Sequence, residues 1–334
     1  MKPYKFAPYL KTTIWGGYQI APFKGIYTAQ PNIGESWEIS AVPGHESIAV
    51  ERGIIGDVDL GLNLAQLIDK YKGLLVGERV YKKFGNQFPL LVKFIDSRQD
   101  LSVQVHPDDK MAQKRHKCPG KTEMWYVLPS KGDAAIYLGW NQQMNVSLIH
   151  AAIADGTLSE YLREYKVHEG DVAYIPAGTV HAMRRNTIVA EIQENSDITY
   201  RLYDYNRIGN DGKKRPLKLD KALQVMDFNP DNEASYAPTM PRIDGVVNLK
   251  KTPYFTANLL SPTRPVQRDY APLDSFVAYM CVEGQCEVTA LDCETEDKSV
   301  SMRMGEAVLI PATLNDILIT PQGHCKLIEI YVEL

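Results

Sequence analysis

Hydrophobic and polar positions alternate along Leu101-Ser102-Val103-Gln104-Val105-His106, with Leu101, Val103 and Val105 on one face and Ser102, Gln104 and His106 on the other. A period of two is the pattern of a strand with one buried face. Pro107 lacks an N–H and closes that strand just past the histidine. Upstream, Phe88-Pro89-Leu90-Leu91-Val92-Lys93-Phe94-Ile95-Asp96 is a dense apolar run, read as a strand buried on both faces. The polar turn at 97–100 predicts a hairpin joining the two.

The same reading gives further strands at 36–40, 123–128 (opened by Glu123), 134–140 and 170–182. In 188–193, Ile188, Ala190 and Ile192 oppose Glu191 and Gln193. Residues 1–60 read as short strands and turns, with Trp15-Gly16-Gly17 as a bulky residue before two permissive positions. Leu64, Leu67 and Ile68 recur at helical spacing in 63–71, and 75–84 predicts a second short helix. Residues 110–121 read as a basic loop. From 145 to 165 the β pattern gives way to apolar residues at helical intervals. Asp155-Gly156 splits that stretch, so two short inserted helices are expected. A helix is predicted over 217–226, and the Pro-, Asn- and Asp-rich stretch 229–241 is the best linker.

After that linker the β pattern resumes, and part of it is a repeat. Gly170-Asp171-x-x-x-Ile175-Pro176-Ala177 returns as Gly305-Glu306-x-x-x-Ile310-Pro311-Ala312, and Ala190-Glu191-Ile192 is echoed by Ile328-Glu329-Ile330. A repeated β-rich unit predicts a mainly β protein of two similar sandwiches or barrels. The second copy has Asp316 where the first has His181, and Ser275 near the place of Glu123. It keeps the turn and strand signals and loses the candidate chemistry.

Bulk properties narrow the function classes. The chain has 334 residues, 44% apolar and 23% charged, which is long enough for two domains and ordinary for a globular protein. A net charge of −4 argues against a sequence-independent grip on nucleic acid. No apolar run approaches the ~20 residues needed to cross a bilayer. Five cysteines, an odd number with no CxxC pair, exclude a zinc ribbon or thioredoxin motif. With no apolar core in residues 1–10, a cytoplasmic setting with free thiols is expected.

Four residues on or beside predicted strands stand out as metal ligands: Gln104, His106, Glu123 and His181. Two imidazoles and a carboxylate suit Zn²⁺ at a catalytic site, which keeps a position open. Counting Glu123 alone as charged leaves such a site at about +1, suited to polarising a sugar oxygen. Taken singly, a strand histidine is more often a satisfied polar residue than a ligand. The joint occurrence of all four beside tight Pro or Gly turns favours the metal.

The sequence Gly170-Asp171-x-x-x-Ile175-Pro176-Ala177-Gly178-x-x-His181 resembles the second motif of the cupin superfamily, small β-barrels that hold a metal. Gln104-Val105-His106-Pro107, Lys121-Thr122-Glu123 and Glu191-Ile192-Gln193-Glu194-Asn195-Ser196-Asp197-Ile198-Thr199-Tyr200-Arg201 narrow the resemblance to type I mannose-6-phosphate isomerases of the short bacterial class. Trp15-Gly16-Gly17 and Arg215-Pro216-Leu217 extend it over most of the chain.

The resemblance implies one Zn²⁺ per chain on Gln104, His106, Glu123 and His181, and a sugar-phosphate substrate. It implies an aldose–ketose isomerase of carbohydrate metabolism interconverting mannose 6-phosphate and fructose 6-phosphate. Arg201, Lys121, Glu191 and Asp197 are the expected catalytic residues, and Ser102, Lys121, Arg201 and Trp15 are expected at the substrate. Leu202-Tyr203-Asp204-Tyr205-Asn206-Arg207 departs from the Gly-rich continuation of the longer enzymes, which leaves the phosphate anchor open. Arg184, Arg185, Arg207 and Lys214 are further basic options for it. The C2 proton acceptor is open among Glu191, Asp197 and His106. The expected architecture is two cupin-like barrels: residues 1–235 a zinc-binding catalytic domain with the helical insertion, 236–334 a degenerate domain without ligands. An Fe²⁺ cupin oxygenase is disfavoured because Gln104 stands where that pattern expects histidine. A sugar-phosphate-binding protein without activity is disfavoured by the complete ligand set.

Overall fold

The computed structural model describes residues 1–50, 58–209 and 212–334, and among these the strands form four sheets with antiparallel pairing. The expected mainly β class holds. One seven-stranded sheet runs Ser235–Ala237, Val172–Ile175, Glu123–Val127, Thr187–Glu194, Leu90–Ser97, Tyr9–Gly17, Ile33–Ile39. Facing it is a five-stranded sheet in the order Tyr200–Tyr203, Val103–Val105, His181–Met183, Ala135–Trp140, Leu162–Lys166. Ile95, Trp125, Val127 and Val189 from the first meet Ile136, Leu138 and Met183 from the second in one core. Burying each such side chain stabilises by about 1.5–3 kcal/mol.

The other face of the seven-stranded sheet is equally buried. Leu90, Val92, Phe94, Ile188, Ala190 and Ile192 pack with Ala257, Leu259, Ala278, Met280 and Ile330 of a second seven-stranded sheet. Burial on both faces is why these strands read as unbroken apolar runs rather than alternating ones. That second sheet also faces a four-stranded sheet, with Val277, Tyr279 and Cys281 against Val288, Ile317 and Ile319. The chain's first strand, Tyr4–Ala7, crosses over to pair with Ala307–Ile310. No helix among the described residues is long and apolar enough to cross a membrane.

Several expectations need correction. Leu90–Ser97 and Val103–Val105 are not a hairpin. The former is paired along both edges, by Thr187–Glu194 and Ile33–Ile39, so the latter joins the facing sheet between His181–Met183 and Tyr200–Tyr203. The basic loop contains a helix, Asp109–His116, capped by Asp108, whose carboxylate accepts the Met111 N–H at 2.8 Å. Only Ala112 is buried on it, so no apolar stripe announced it. The insertion at 145–165 is one helix, Val146–Asp155, ended by Gly156 at φ 75°. A 3-10 turn, Leu158–Tyr161, follows, and Leu162–Lys166 is an edge strand of the five-stranded sheet. The helix expected over 217–226 shrinks to Leu219–Leu223, and the expected linker contains Ser235–Ala237, an edge strand on Val172–Ile175. Of the stretch 1–60, residues 51–57 lie outside the described residues.

Candidate active site

Strand register places the polar residues in two facing rows. On the five-stranded sheet Gln104 lies directly between His181 and Arg201 on its two neighbours. Directly opposed residues share a face, so the three project together. On the seven-stranded sheet the row Trp37, Lys93, Glu191, Trp125 is built the same way, and Gln193 opposes Glu123 one rung on. Between the rows lies a cavity of about 410 Å³, lined by Gln104, Lys121, Lys93, Glu191, Glu35 and Arg201 among others.

His106, Glu123 and His181, all buried, bring one ligand atom each to within 4.8 Å of the others. His106 falls just past its strand, yet its orientation is fixed. Its Nδ1 lies 2.8 Å from the Ile198 carbonyl, and Nδ1 of His181 lies 2.8 Å from the Thr179 carbonyl. A carbonyl only accepts, so both Nδ1 atoms carry the proton and both Nε2 atoms present lone pairs. Those lone pairs face Glu123, His181 Nε2 at 3.2 Å from Oε1 and His106 Nε2 at 3.6 Å from Oε2. Glu123 Oε1 is buried and accepts no hydrogen bond. The Lys121 ammonium reaches His106 Nε2 at 3.4 Å and Glu123 Oε2, but among the described residues nothing donates to Glu123 Oε1 or lies between it and His181 Nε2. Two imidazole nitrogens and a carboxylate converging in this way are the donor set of a cation site, and nitrogen with carboxylate oxygen suits Zn²⁺. The Gln104 amide stands 3.4 Å from His181 Nε2. Burial, followed by Lys121, pushes the His106 pKa well below its usual value. Burial opposes ionisation of Glu123, but the Lys121 ammonium outweighs it and holds its carboxyl well below the usual range.

Beside this cluster runs a line of alternating charge. Lys121 donates to Glu123 Oε2 and lies 3.4 Å from Glu191 Oε1. Lys93 lies 3.0 Å from Glu191 Oε1 and 3.3 Å from Glu35 Oε2, and Lys11 lies 3.2 Å from Glu35 Oε1. Trp125 Nε1 donates to Glu191 Oε2 at 2.7 Å, and Trp37 Nε1 to Glu35 Oε2 at 2.7 Å. Burial works against both charges. Lys93 and Lys11 nonetheless hold the Glu35 pKa at about 2, while Glu191 and Glu35 raise that of Lys93.

The opposite rim is cationic. Arg201 donates from Nε to Ser102 Oγ at 3.1 Å, with Lys218 and Arg215 on the same wall, the Arg215 Nε donating to Asp204 at 2.7 Å. Burial, then Arg215, lowers the Arg201 pKa, and burial, then Arg201, lowers that of Lys218. Cations crowded enough to disfavour one another's charge invite an anion.

Every residue expected at the substrate, and every one expected to be catalytic, lines this one cavity: Trp15, Ser102, Lys121, Glu191, Asp197 and Arg201. His106, the third option for the C2 proton, belongs to the ligand cluster instead. Asp197 is the outermost, its side chain 47% exposed and 3.7 Å from Lys11. The other basic options do not reach it. Arg184 pairs with Glu164, Arg185 with Asp133, Arg207 with Asp204, and Lys214 with Asn206. Lys93, Glu35 and Lys218 were missed by sequence reasoning. Lys93 carried a usable signal, a lone charge in an apolar run buried on both faces, where a cation is retained only if paired. Among the described residues the C-terminal sheets hold no comparable ligand cluster. Glu329, the echo of Glu191, is instead gripped by Arg268 at 2.9 Å and Asn258 at 2.8 Å.

Sheets of this arrangement around a His/Glu/His cluster define a mainly β enzyme of the cupin type. Residues 4–139 match the family model described as phosphomannose isomerase type I, catalytic domain. The chain is 39% identical over 227 residues to the mannose-6-phosphate isomerase ManA of Bacillus subtilis, covering 68% of each. It is 30% identical over 307 residues, 90% of each chain, to the mannose-6-phosphate isomerase of Streptococcus mutans. The crystal structure of a mannose 6-phosphate isomerase from Bacillus subtilis superposes with a TM-score of 0.81 at 29% identity, covering 99% of this chain and 100% of that one. The chain belongs to the type I mannose-6-phosphate isomerase family, whose members are aldose–ketose isomerases.

Proposed function

We propose that this protein interconverts mannose 6-phosphate and fructose 6-phosphate through a cis-enediol, using one Zn²⁺ held by His106, Glu123 and His181 with Gln104 beside them. The observation that carries the reading is the buried Glu123 carboxylate, its Oε1 orphaned against His181 Nε2 and its Oε2 facing His106 Nε2, beside a cavity that also holds paired acids and cations. Bound there, zinc would supply a Lewis acid for the sugar oxygens.

The chain's own groups account for the proton movements. Glu191, paired with Lys93 and Lys121 and aimed by the Trp125 indole, takes the proton from C2 and delivers one to C1. Lys121 delivers a proton to O1 and accepts the one that leaves O2, which balances the exchange. Arg201, Ser102, Arg215 and Lys218 receive the phosphate. Trp15 walls the sugar, and Asp197 stands at the mouth. In this reading residues 1–235 form the catalytic unit and 236–334 a structural one, supported by the separate core of the C-terminal sheets. Five free thiols fit a cytoplasmic setting. Conversion in D₂O followed by proton NMR tests the route. Deuterium entering C1 of fructose 6-phosphate and C2 of mannose 6-phosphate is expected, and conversion with complete retention of the C2 hydrogen, with no deuterium at either carbon, contradicts proton abstraction to solvent-exchangeable Glu191.

A further inference from the structure

Behind the cavity a groove of about 260 Å³ is lined by Phe84, Cys118, Tyr254 and two carboxyl groups, Asp109 and Glu194. Each carboxyl grips the same short loop. Asp109 Oδ1 accepts the Gly120 N–H at 2.8 Å and Glu194 Oε1 accepts the Thr122 N–H at 2.8 Å. Between them the Lys121 N–H donates to the Pro107 carbonyl at 3.1 Å, and the Glu194 N–H donates to the Thr122 carbonyl at 3.1 Å. The loop therefore hangs from these two side chains just before it delivers Lys121 and Glu123 to the cavity.

Glu194 is 5% exposed, and its carboxyl and that of Asp109 line the same groove while holding the same three-residue loop. Two carboxylates sharing a site resist joint ionisation, and one proton between them turns the repulsion into a bond. The other titratable groups facing the pair are Asp108, Cys118, Tyr174, Tyr254 and Lys83. Lys83, the one cation among them, lies over the Phe84 ring, 5.0 Å from its centroid. Burial, then Asp109, pushes the Glu194 pKa up to about 8.

We propose that Asp109 and Glu194 share a single proton, and that the pair is a positioning clamp holding the loop 120–122 so that Lys121 and Glu123 stay in register with Glu191 and the two histidines. Loss of the proton sets two negative charges against each other and slackens the loop. The clamp rests on the isomerase reading for its activity assay, but its effect on stability is measured without substrate.

The test compares wild type with Glu194→Gln, whose amide keeps an acceptor for Thr122 and a donor for Asp109 but does not titrate. Asp109→Asn, which removes the like charge from the other side, serves where the first variant fails to fold. Wild-type kcat/KM is expected to fall roughly tenfold per pH unit above about 8, as for one required proton, and both variants to hold level over that range. Thermal unfolding without substrate should show wild type losing stability relative to Glu194→Gln as pH rises from about 4.5 through about 8. The folded state keeps a proton there that the unfolded chain has released. Matching stability profiles, or variants that trace the wild-type alkaline limb, overturn the clamp. A stability difference in protein inactive at every pH supports the clamp and rejects the isomerase reading.

Discussion

Lys93 and Glu191 meet at 3.0 Å in the floor of the cavity, both buried and directly opposed on neighbouring strands. Neither charge is tolerable there alone. The ammonium also reaches Glu35 at 3.3 Å, so one lysine bridges two buried carboxylates, each of which has a second ammonium partner in Lys11 or Lys121. Lys93→Met should therefore cost about 3–5 kcal/mol of stability, the range for breaking a buried pair from one side. It should also lower kcat/KM by roughly a hundredfold or more, because Glu191 loses the nearer of its two ammonium partners. Denaturant unfolding and steady-state kinetics on the same preparation check this. A variant of wild-type activity would remove Lys93 from the site.

Removing an imidazole from the cluster should abolish tight metal binding while sparing the sheets. His181→Ala is expected to weaken zinc affinity roughly hundredfold or more, at or beyond the upper end for loss of a supporting residue. Competition with a chromophoric chelator measures it. Unchanged affinity would place the metal elsewhere.

The cationic rim predicts a binding effect rather than a chemical one. Lys218→Ala removes a charge-assisted contact worth about 1.5–3 kcal/mol, so KM for the sugar phosphate should rise roughly ten- to a hundredfold with kcat little changed. Inorganic phosphate should compete with substrate in wild type and lose that ability in the variant.

Strong acid should remove the Glu35 charge from the line. With its pKa held at about 2 against an ordinary 4.5, Glu35 contributes stability that is present above pH 4.5 and lost as pH falls towards 2. The unfolding free energy of Glu35→Gln should be lower than wild type at pH 7, with the gap closing between pH 4.5 and 2. A gap independent of pH would contradict the pairing with Lys93 and Lys11.

Much of the site was legible because its residues announce themselves by type. Gln104 and His106 follow a period of two, and His181 follows a Pro-Ala-Gly turn, so local pattern put all three on or beside strands. What brings Glu123 and His181 from opposite sheets to 3.2 Å is pairing between distant segments, which periodicity does not encode. The false hairpin came from that gap, since adjacency in the chain does not reveal that Leu90–Ser97 is already paired on both edges. The Asp109–His116 helix was invisible because its stability lies in a cap rather than an apolar face. Lys93 passed without comment inside an apolar run, when a lone cation there is itself evidence of partners.

The central claim, a zinc-dependent isomerase, is tested most directly by a coupled assay for fructose 6-phosphate formed from mannose 6-phosphate, run on protein stripped by chelator and then titrated with Zn²⁺. Activity should vanish with the metal and return in proportion up to one zinc per chain. Full turnover by protein that elemental analysis finds free of metal would contradict it.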